Sequence, residues 1–314
     1  MLKIGLVGVG GISGAHGPAW QEMEDAKLMA VCDIRPERME QYPDANHYTD
    51  FDEMLKNEEL DILDICLPTY LHADFAEKAL EKGINVLCEK PISLKDSDIT
   101  RLYDAAKRNN AKFMIAQVVR FWPEYEFIKE IYDSGKYGKL LSGKMTRIGG
   151  IPRNTWNNWM LDEEKSGLVP FDLHIHDLDF LVYAFGKPVS VKSSRSKRPE
   201  QDSISMIYDF GDAFVSCESA WYAAPVPFEA TFRFQFEKAV IINQDGKITV
   251  YECDGDVIEA NASKELEEGN IYIPKSNAYA NEINYFADCV RNGKEPDKVK
   301  PEELQTVLSL LKSL

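Results

Sequence analysis

Apolar and polar positions alternate along the first third of the chain in a repeating order of short apolar runs and longer amphipathic stretches. The runs are too short for helices and rich in Ile, Leu and Val, which is typical of buried parallel strands. They lie at 3–7, 28–32, 62–66, 85–88 and 113–117. Helical stretches between them predict a βαβ series, and hence a parallel, doubly wound sheet with right-handed crossovers. Ligands of such sheets bind beyond the carboxyl ends of the strands, so the residues after each run are candidate site residues.

The pattern changes after Trp122. A helix is predicted over 124–133 and ends at Gly135, and a strand is predicted over 139–148. Between 189 and 258 several β-rich runs are separated by turn signals, which predicts a mostly antiparallel sheet.

Two helices, over 279–291 and 302–314, are predicted to close the chain. We therefore expect an α/β protein with a doubly wound parallel sheet in residues 1–121 and an α+β domain with a large, mostly antiparallel sheet in residues 122–314.

Glycines dominate the turn after the first apolar run. Gly8, Gly10 and Gly11 allow a tight turn and the close approach of a bulky anion. The first turn of the following helix would direct unpaired N–H groups at that anion, which suits a pyrophosphate. Ser13 stands at the third glycine position of the GxGxxG pattern, so the motif is a weak signal by itself.

An acidic residue follows the second apolar run. Asp33 lies close to the position where a carboxylate accepts the ribose hydroxyls of an adenosine. It favours NAD, because a 2′-phosphate would meet the carboxylate, whereas Arg35 nearby could accommodate that phosphate and leaves NADP possible. The alternative is a glycine turn in an ordinary α/β protein with a surface aspartate.

A lysine follows the fourth apolar run. Pro91 keeps Lys90 extended, and its ammonium group could enter the crevice at the strand ends. The alternative is a charged residue in a solvent-facing loop.

The segment 170–181 is a predicted helix with the second set of candidate groups. Asp172, His176 and Asp179 recur at helical spacing on or near one face. A carboxylate one turn from an imidazole can fix its tautomer and raise its basicity, which equips the pair to remove a proton from an alcohol. The side chains of His174 and His176 diverge by about 200°, so we expect no metal there. A purely structural helix remains the alternative.

Charge and composition narrow the classes of partner. A net charge of −16 over 314 residues disfavours nucleic acid and anionic membranes. The basic run 192–198 favours a solvated strand face over a phosphate site. The six cysteines show no CxxC pair, and we expect reduced thiols, no signal peptide, no membrane anchor and a cytoplasmic protein.

Six motifs in order, together with Asp33, resemble the glucose-fructose oxidoreductase/inositol dehydrogenase family, often called Gfo/Idh/MocA. The motifs are GVGGISGAH, LPTYLHAD, CEKP, VVRFWPE, WNNWMLDEEKSG and DLHIHDLDFL, spread over essentially the whole chain. The resemblance implies an N-terminal Rossmann domain and a C-terminal domain whose open sheet often forms homodimers or homotetramers.

The resemblance also implies roles for individual residues. Lys90 would reach substrate and cofactor, and Asp172 and His176 would act on the substrate hydroxyl. Arg120, Trp156 and Trp159 are the further candidates for the substrate pocket. The expected cofactor-binding residues are Gly8, Gly10, Gly11, Ile12, Ser13, Asp33, Ile34, Arg35, Leu67, Pro68, Thr69, His72, Glu89, Lys90 and Gln117.

Two positions depart from the family pattern. Gly167-Leu168 stands where the family often has two glycines, and His174 stands where it often has a small residue. The catalytic roles are retained, but the pocket could differ from those of inositol or glucose enzymes.

We therefore expect an NAD(P)-dependent dehydrogenase acting on a CH–OH group of a sugar, polyol or related cyclic alcohol. One alternative is redox-neutral glycoside cleavage through transient sugar oxidation by tightly held NAD. Another is a non-catalytic NAD(P)-binding regulator.

Overall fold

The computed structural model describes residues 1–244, 246–261 and 278–314. The chain divides into two compact units. The first contains Met1–Val118 and the described part of 277–305, and the second contains the described part of 119–276 together with Thr306–Leu314. The structure divides the chain after Val118, close to the predicted boundary between residues 121 and 122. The prediction placed everything after residue 121 in the second domain, whereas residues 278–305 belong to the first unit.

The first unit is built on a six-stranded parallel sheet. Its strands are β1 Leu2–Val7, β2 Ala26–Cys32, β3 Asn46–Tyr48, β4 Ile62–Ile65, β5 Asn85–Glu89 and β6 Phe113–Ala116. They lie in the order β3-β2-β1-β4-β5-β6, and every neighbouring pair is parallel. The sequence-based prediction of a doubly wound parallel sheet is confirmed. Every residue of β4 and β6 is buried, so β6 is apolar throughout, whereas β4 carries one buried carboxylate, that of Asp64.

Helices connect these strands and complete the first unit. They are α1 Ser13–Glu22, α2 Pro36–Met39, α3 Phe51–Asn57, α4 Thr69–Leu80 and α5 Asp96–Arg108. A later helix, α9 Ala278–Arg291, packs against α1, and Arg291 forms an ion pair with Asp25. This contact accounts for the membership of 278–305 in the first unit.

The second unit is built on an eight-stranded sheet. Its strands are β7 Leu140–Gly150, β8 Ser190–Arg198, β9 Gln201–Asp209, β10 Phe214–Tyr222, β11 Glu229–Phe236, β12 Ala239–Gln244, β13 Lys247–Glu252 and β14 Val257–Asn261. Their order is β14-β13-β12-β11-β7-β10-β9-β8. The neighbouring strands are antiparallel except for the parallel pair β10 and β7, which confirms the predicted mostly antiparallel sheet.

One face of this second sheet forms a core with its helices. The helices of this part of the chain are α6 Pro123–Ser134, α7 Glu163–Ser166 and α8 Ile175–Phe185, and α10 Pro301–Leu311 follows near the end of the chain. Tyr125 of α6 packs edge-on against Phe180 of α8 and Phe232 of β11, with ring centroids 4.9 and 5.1 Å apart. α6 ends at Gly135, whose φ of +63° gives the left-handed cap expected from the sequence.

The basic run 192–198 lies in strand β8, at the edge of the second sheet. Arg195 pairs with Asp202 through two hydrogen bonds, and Lys197 pairs with Glu163. The exposed basic strand agrees with the expectation of a solvated face.

All six cysteines are free thiols, and only Cys253 is exposed. No helix in the described ranges has the length and apolar character that a membrane crossing requires.

Candidate active site

The glycine turn joins β1 to α1 as the sequence predicts. Gly8 has φ +87°, and a Cβ added there would lie 2.7 Å from the carbonyl oxygen of Cys66, so this position requires glycine. A Cβ added at Gly10 would meet nothing within 4 Å, which shows that this part of the turn faces open space. The Ser13 hydroxyl donates to the Gly10 carbonyl oxygen at 2.7 Å, and no side chain in the described part of the chain caps the start of α1. The turn therefore leaves room and helix N–H groups for an anion.

Asp33 holds the glycine turn against the end of β2. Its carboxylate accepts hydrogen bonds from the backbone N–H of Val9 at 2.8 Å and of Arg35 at 2.9 Å. The guanidinium of Arg35 also pairs with it, at 3.1 Å, whereas Ile34 is 66% exposed. Asp33 is thus both a buried loop anchor and a carboxylate beside the candidate ribose site.

The loops after β4 and β5 are joined by His72. One ring nitrogen lies 2.7 Å from the Pro91 carbonyl oxygen and the other 2.7 Å from that of Leu67. Burial lowers the pKa of His72 against the opposing effect of these two carbonyls. His72 lies in the first turn of α4, which follows Pro68 and begins at the buried Thr69. The peptide bond between Lys90 and Pro91 is cis. The imidazole therefore supports the loop that carries Lys90, and its predicted contact with nicotinamide stays a prediction.

Glu89 lies at the carboxyl end of β5, directly before Lys90. One carboxylate oxygen accepts the backbone N–H of Lys90 at 2.9 Å, and the other lies 3.1 Å from Nε2 of His16. Glu89 is buried and Lys90 is half-buried. The main chain at Lys90 is therefore fixed by the preceding side chain.

Gln117 follows β6 and offers a polar atom to a ligand. Its side chain is buried, and its Oε1 has no hydrogen-bond partner among the described residues. A buried amide oxygen without a partner is costly, and an amide donor of a ligand would relieve that cost. Together with the open turn at Gly10, this oxygen fits a bound NAD molecule in the first unit.

The second candidate set lies at the start of α8. Residues Pro170–His174 form a wide π-type turn that continues into α8, rather than the single regular helix expected over 170–181. Asp172 and His176 are both half-buried there. Nε1 of Trp221, on β10, donates to the Asp172 carboxylate at 3.2 Å. A π-type turn is a common feature of functional sites, and here it holds the candidate carboxylate against the sheet.

His174 is part of the core of the second unit. It is fully buried, its Nε2 lies 2.6 Å from the Tyr208 hydroxyl, and the Ser219 hydroxyl lies 3.3 Å from its Nδ1. Burial, together with the charge of Arg147, lowers the pKa of His174 to about 3, so the ring is neutral. A histidine can therefore replace the small residue that the family often has at this position, because Tyr208 and Ser219 provide polar partners for its ring.

Two groups among the described residues have the spacing to share a metal ion, and neither contains His174 or His176. They are His16, Asp64 and Cys66, which are buried, and Glu252, Asp254 and Asp256, which lie on a turn.

Arg120 lies in a buried ion pair that no local sequence pattern indicates. Its guanidinium donates two hydrogen bonds of 2.7 Å to Asp179, and both side chains are essentially inaccessible. It also stacks 4.7 Å from the Tyr183 ring centroid. These contacts support a structural role for Arg120 in holding α8. The Arg120 side chain has no exposed surface with which to make the predicted substrate contact. A second buried pair, Arg147 with Asp177, joins β7 to the same helix.

The predicted pocket tryptophans lie in an irregular segment before α7. Trp156, which is 40% exposed, and Trp159 belong to the 3₁₀ turn Trp156–Leu161. Leu168 lies beyond α7 with φ +60°, a left-handed conformation that a glycine would adopt without strain. Gly167 and Leu168 therefore both have the left-handed backbone conformation that a Gly-Gly pair adopts easily. This chain differs from that pattern in carrying a buried leucine side chain at position 168.

Two family models match the chain, and together they cover more than half of it. Residues 2–117 match the model described as an oxidoreductase family with an NAD-binding Rossmann fold, and residues 125–242 match the GFO/IDH/MocA C-terminal domain.

Curated relatives with 30% identity match only part of their own length. The 2,7-anhydro-N-acetylneuraminate hydratase of Mediterraneibacter gnavus is 30% identical over 58% of this chain and 48% of its own. The chain spans 48% to 64% of the length of the curated relatives at this identity. The inositol 2-dehydrogenase of Rhizobium meliloti is 26% identical over 94% of this chain and 90% of its own.

A solved levoglucosan dehydrogenase in complex with NADH and levoglucosan has the same fold, with a TM-score of 0.86, 19% identity, and coverage of 99% of this chain and 95% of that one. The order of the two matched models agrees with the order of the two sheets. The chain belongs to the GFO/IDH/MocA family of oxidoreductases, and its first unit is an NAD-binding Rossmann domain.

Proposed function

We propose that this protein is an NAD-dependent dehydrogenase that oxidises a CH–OH group of a sugar, polyol or related cyclic alcohol, or reduces the corresponding ketone. The observation that carries the proposal is the half-buried pair Asp172 and His176 at the start of α8, with the carboxylate held by Trp221. An imidazole with a carboxylate nearby is suited to proton transfer at a hydroxyl.

The proposed roles of the residues follow from their chemistry. His176 accepts the hydroxyl proton, Asp172 orients the imidazole, and Lys90 stabilises the negative charge that develops on the substrate oxygen. NAD, when bound, supplies the acceptor for the hydride that leaves the carbinol carbon. The hydroxyl proton and the hydride together account for the two hydrogens lost when the alcohol becomes a ketone.

A cleft in the second unit borders on residues that contact the proposed catalytic aspartate. Its lining includes Leu168 and Trp221. The Leu168 carbonyl oxygen accepts the backbone N–H of Asp172 at 2.9 Å, and Trp221 donates to its carboxylate. Two residues that line the cleft therefore contact the proposed catalytic aspartate directly.

The relatives support the same substrate class. Inositol 2-dehydrogenase and levoglucosan dehydrogenase are named for a cyclic polyol and an anhydrosugar. We infer that a carbohydrate or polyol is the substrate of this protein as well.

Redox-neutral chemistry is the second candidate. It is favoured by one observation, the match to a relative named as a hydratase of an anhydro sugar. The groups that remove a hydroxyl proton would serve this reaction too, because transient oxidation acidifies the neighbouring C–H bond.

A substrate screen with NAD and with NADP tests the proposal. The purified protein is incubated with polyols, sugars, sugar acids and glycosides, and both nicotinamide absorbance and products are followed. Net formation of reduced nicotinamide supports the dehydrogenase, and product without net reduction supports the redox-neutral alternative. Cofactor binding with no reaction across the panel would overturn both and favour a regulator.

Asp33 should determine the choice of cofactor. We expect Asp33→Asn to lower the preference for NAD over NADP by at least about tenfold, because it removes the charge that repels a 2′-phosphate. The amide oxygen can still accept the Val9 N–H, but the amide NH2 cannot accept the Arg35 N–H, so we also expect a moderate fall in the melting temperature. The measurement is kcat/KM for each cofactor, or each Kd by fluorescence. An unchanged preference would contradict this role, and Ile34→Ala serves as the neighbouring exposed control.

We propose that the protein forms a homodimer or homotetramer through the open face of its second sheet. Ile207 on β9 and Phe214 on β10 are large apolar side chains that are 43% and 49% exposed. We expect the double substitution Ile207→Lys/Phe214→Lys to shift the protein to monomer in light scattering. An unchanged mass would place any assembly interface elsewhere.

A further inference from the structure

A buried hydrogen-bonded network in the first unit has no part in the proposed proton transfer. Nδ1 of His16 lies 2.9 and 3.1 Å from the two carboxylate oxygens of Asp64, and its Nε2 lies 3.1 Å from Glu89. His16 and Asp64 have 0% exposure, and Glu89 has 6%. The partners are 48 and 73 residues from His16 in the sequence, so only the fold brings them together.

The contacts of His16 specify its charge. A neutral imidazole donates one hydrogen bond and would turn the lone pair of its other nitrogen toward a carboxylate oxygen. An imidazolium donates to both carboxylates at once. Burial acts to lower the pKa of His16, but the charge and hydrogen bond of Asp64, together with Cys66, raise the pKa well above its usual value.

The charge of Glu89 agrees with an imidazolium at His16. Burial alone would raise the pKa of Glu89, but the bond and charge of His16 and the charge of Lys90 lower it. The proton of the pair therefore belongs to the imidazole, and Glu89 is a carboxylate that can accept at both of its oxygens.

The network leads from His16 toward Lys90 and not to solvent. The inner end is closed, because Asp64 is inaccessible and also accepts a hydrogen bond of 2.7 Å from Nε1 of Trp20. At the other end, Glu89 accepts the backbone N–H of Lys90 at 2.9 Å. An arrangement closed at one end does not conduct protons to bulk water, but it can hold a main chain in place.

A metal ion is a weaker explanation of the same residues. His16, Asp64 and Cys66 have the spacing to share an ion. However, Nε2 of His16 lies 3.1 Å from Glu89, a carboxylate outside that group of three, so the position of the ring is explained by two carboxylate partners. The His16 ring nitrogen is also engaged with the Asp64 carboxylate in a hydrogen bond of ordinary length.

We propose that His16 is a positioning residue that clamps the Glu89 carboxylate and thereby fixes the backbone of Lys90 at the carboxyl end of β5. This proposal rests on the proposed function in one respect only, namely that Lys90 has a catalytic role. Its structural content, that His16 controls the placement of Lys90, is independent of which reaction is catalysed.

A matched pair of variants separates positioning from mere stability. His16→Gln removes the cationic clamp on Glu89. Trp20→Phe removes a donor from the same Asp64 carboxylate without touching Glu89. Both variants lose a buried hydrogen bond and should lower the melting temperature, but we expect only His16→Gln to affect Lys90. Glu89→Gln, which weakens the same clamp from its other side, replaces His16→Gln if the latter does not fold.

The first readout needs no substrate. The protein is pulsed with acetic anhydride, and acetylation of Lys90 is compared with that of the exposed Lys82 by peptide mass spectrometry. We expect acetylation of Lys90 to change by at least about threefold in His16→Gln and to stay within about twofold of wild type in Trp20→Phe, because only the former releases the loop. Equal rates in wild type and folded His16→Gln would overturn the proposal.

The second readout is steady-state kinetics with the best substrate of the screen. We expect kcat to fall at least about tenfold in His16→Gln, with a smaller change in KM for NAD, and to stay within about twofold in Trp20→Phe. An equal loss in both variants would show a role in stability alone and would overturn the proposal. If wild type turns over no substrate while Lys90 acetylation still depends on His16, the proposed function fails and the positioning role stands.

Discussion

Replacing either Lys90 or His176 by alanine should lower kcat by at least about a hundredfold, equivalent to about 2.7 kcal/mol of transition-state stabilisation. Lys90→Ala removes the cation that we assign to the developing oxygen charge, and His176→Ala removes the proton acceptor. Both residues are half-buried rather than part of the core, so the variants should fold. The measurement is kcat and KM for the best substrate, together with circular dichroism and the melting temperature.

The pair of substitutions also tests whether the two groups act together. Groups that act on one transition state lose activity non-additively, so the double variant should be little worse than the poorer single variant. Lys82→Ala and His47→Ala delete the same side chains outside the proposed site and should keep activity within about twofold. Full activity in both Lys90→Ala and His176→Ala would disprove the assigned roles. Loss of activity with unchanged NADH binding would locate their effect in the chemical step.

The substitution Asp179→Ala should lower the free energy of unfolding by about 3–5 kcal/mol. It leaves the Arg120 guanidinium fully buried without the carboxylate that accepts two of its hydrogen bonds. The measurement is urea denaturation followed by tryptophan fluorescence.

An apolar replacement of the whole pair distinguishes a buried unpaired charge from lost packing. Arg120→Met/Asp179→Leu should recover most of the stability, because neither charge then remains buried. The half-exposed pair of Lys129 with Asp133, on α6, is the control, and Asp133→Ala should cost less than about 1 kcal/mol. Equal costs for Asp179→Ala and Asp133→Ala would contradict the proposed contribution of the buried pair. A selective rise in KM for substrate in Arg120→Met would instead restore its predicted substrate contact.

Much of the fold was predictable because it depends on local pattern. The short apolar strands, the glycine at position 8 with its positive φ and the glycine that ends α6 are each specified by residues within a few positions. Helix α9 was predicted as an element, but its membership in the first unit depends on packing against α1, which no local pattern specifies.

The candidate site was predictable in part for the same reason. Lys90, Asp172 and His176 could be selected because strand ends and helical spacing are visible in the sequence. The partners of the neighbouring charges were not visible. The family resemblance made Arg120 a candidate for the substrate pocket, yet it pairs with Asp179, 59 residues away. His174 stands where the family often has a small residue, and this suggested an altered pocket. In the structure it is a neutral core residue hydrogen-bonded to Tyr208, 34 residues away.

The sequence by itself determined the order of strands and helices, the parallel and antiparallel sheets, and the family, because hydrophobic period, turn glycines and short motifs act over neighbouring residues. Only the tertiary structure decided which charged side chains are buried in pairs and which remain available for chemistry. The physical reason is that the cost of burying a charge depends on partners brought together across the fold, as in the network of His16, Asp64 and Glu89.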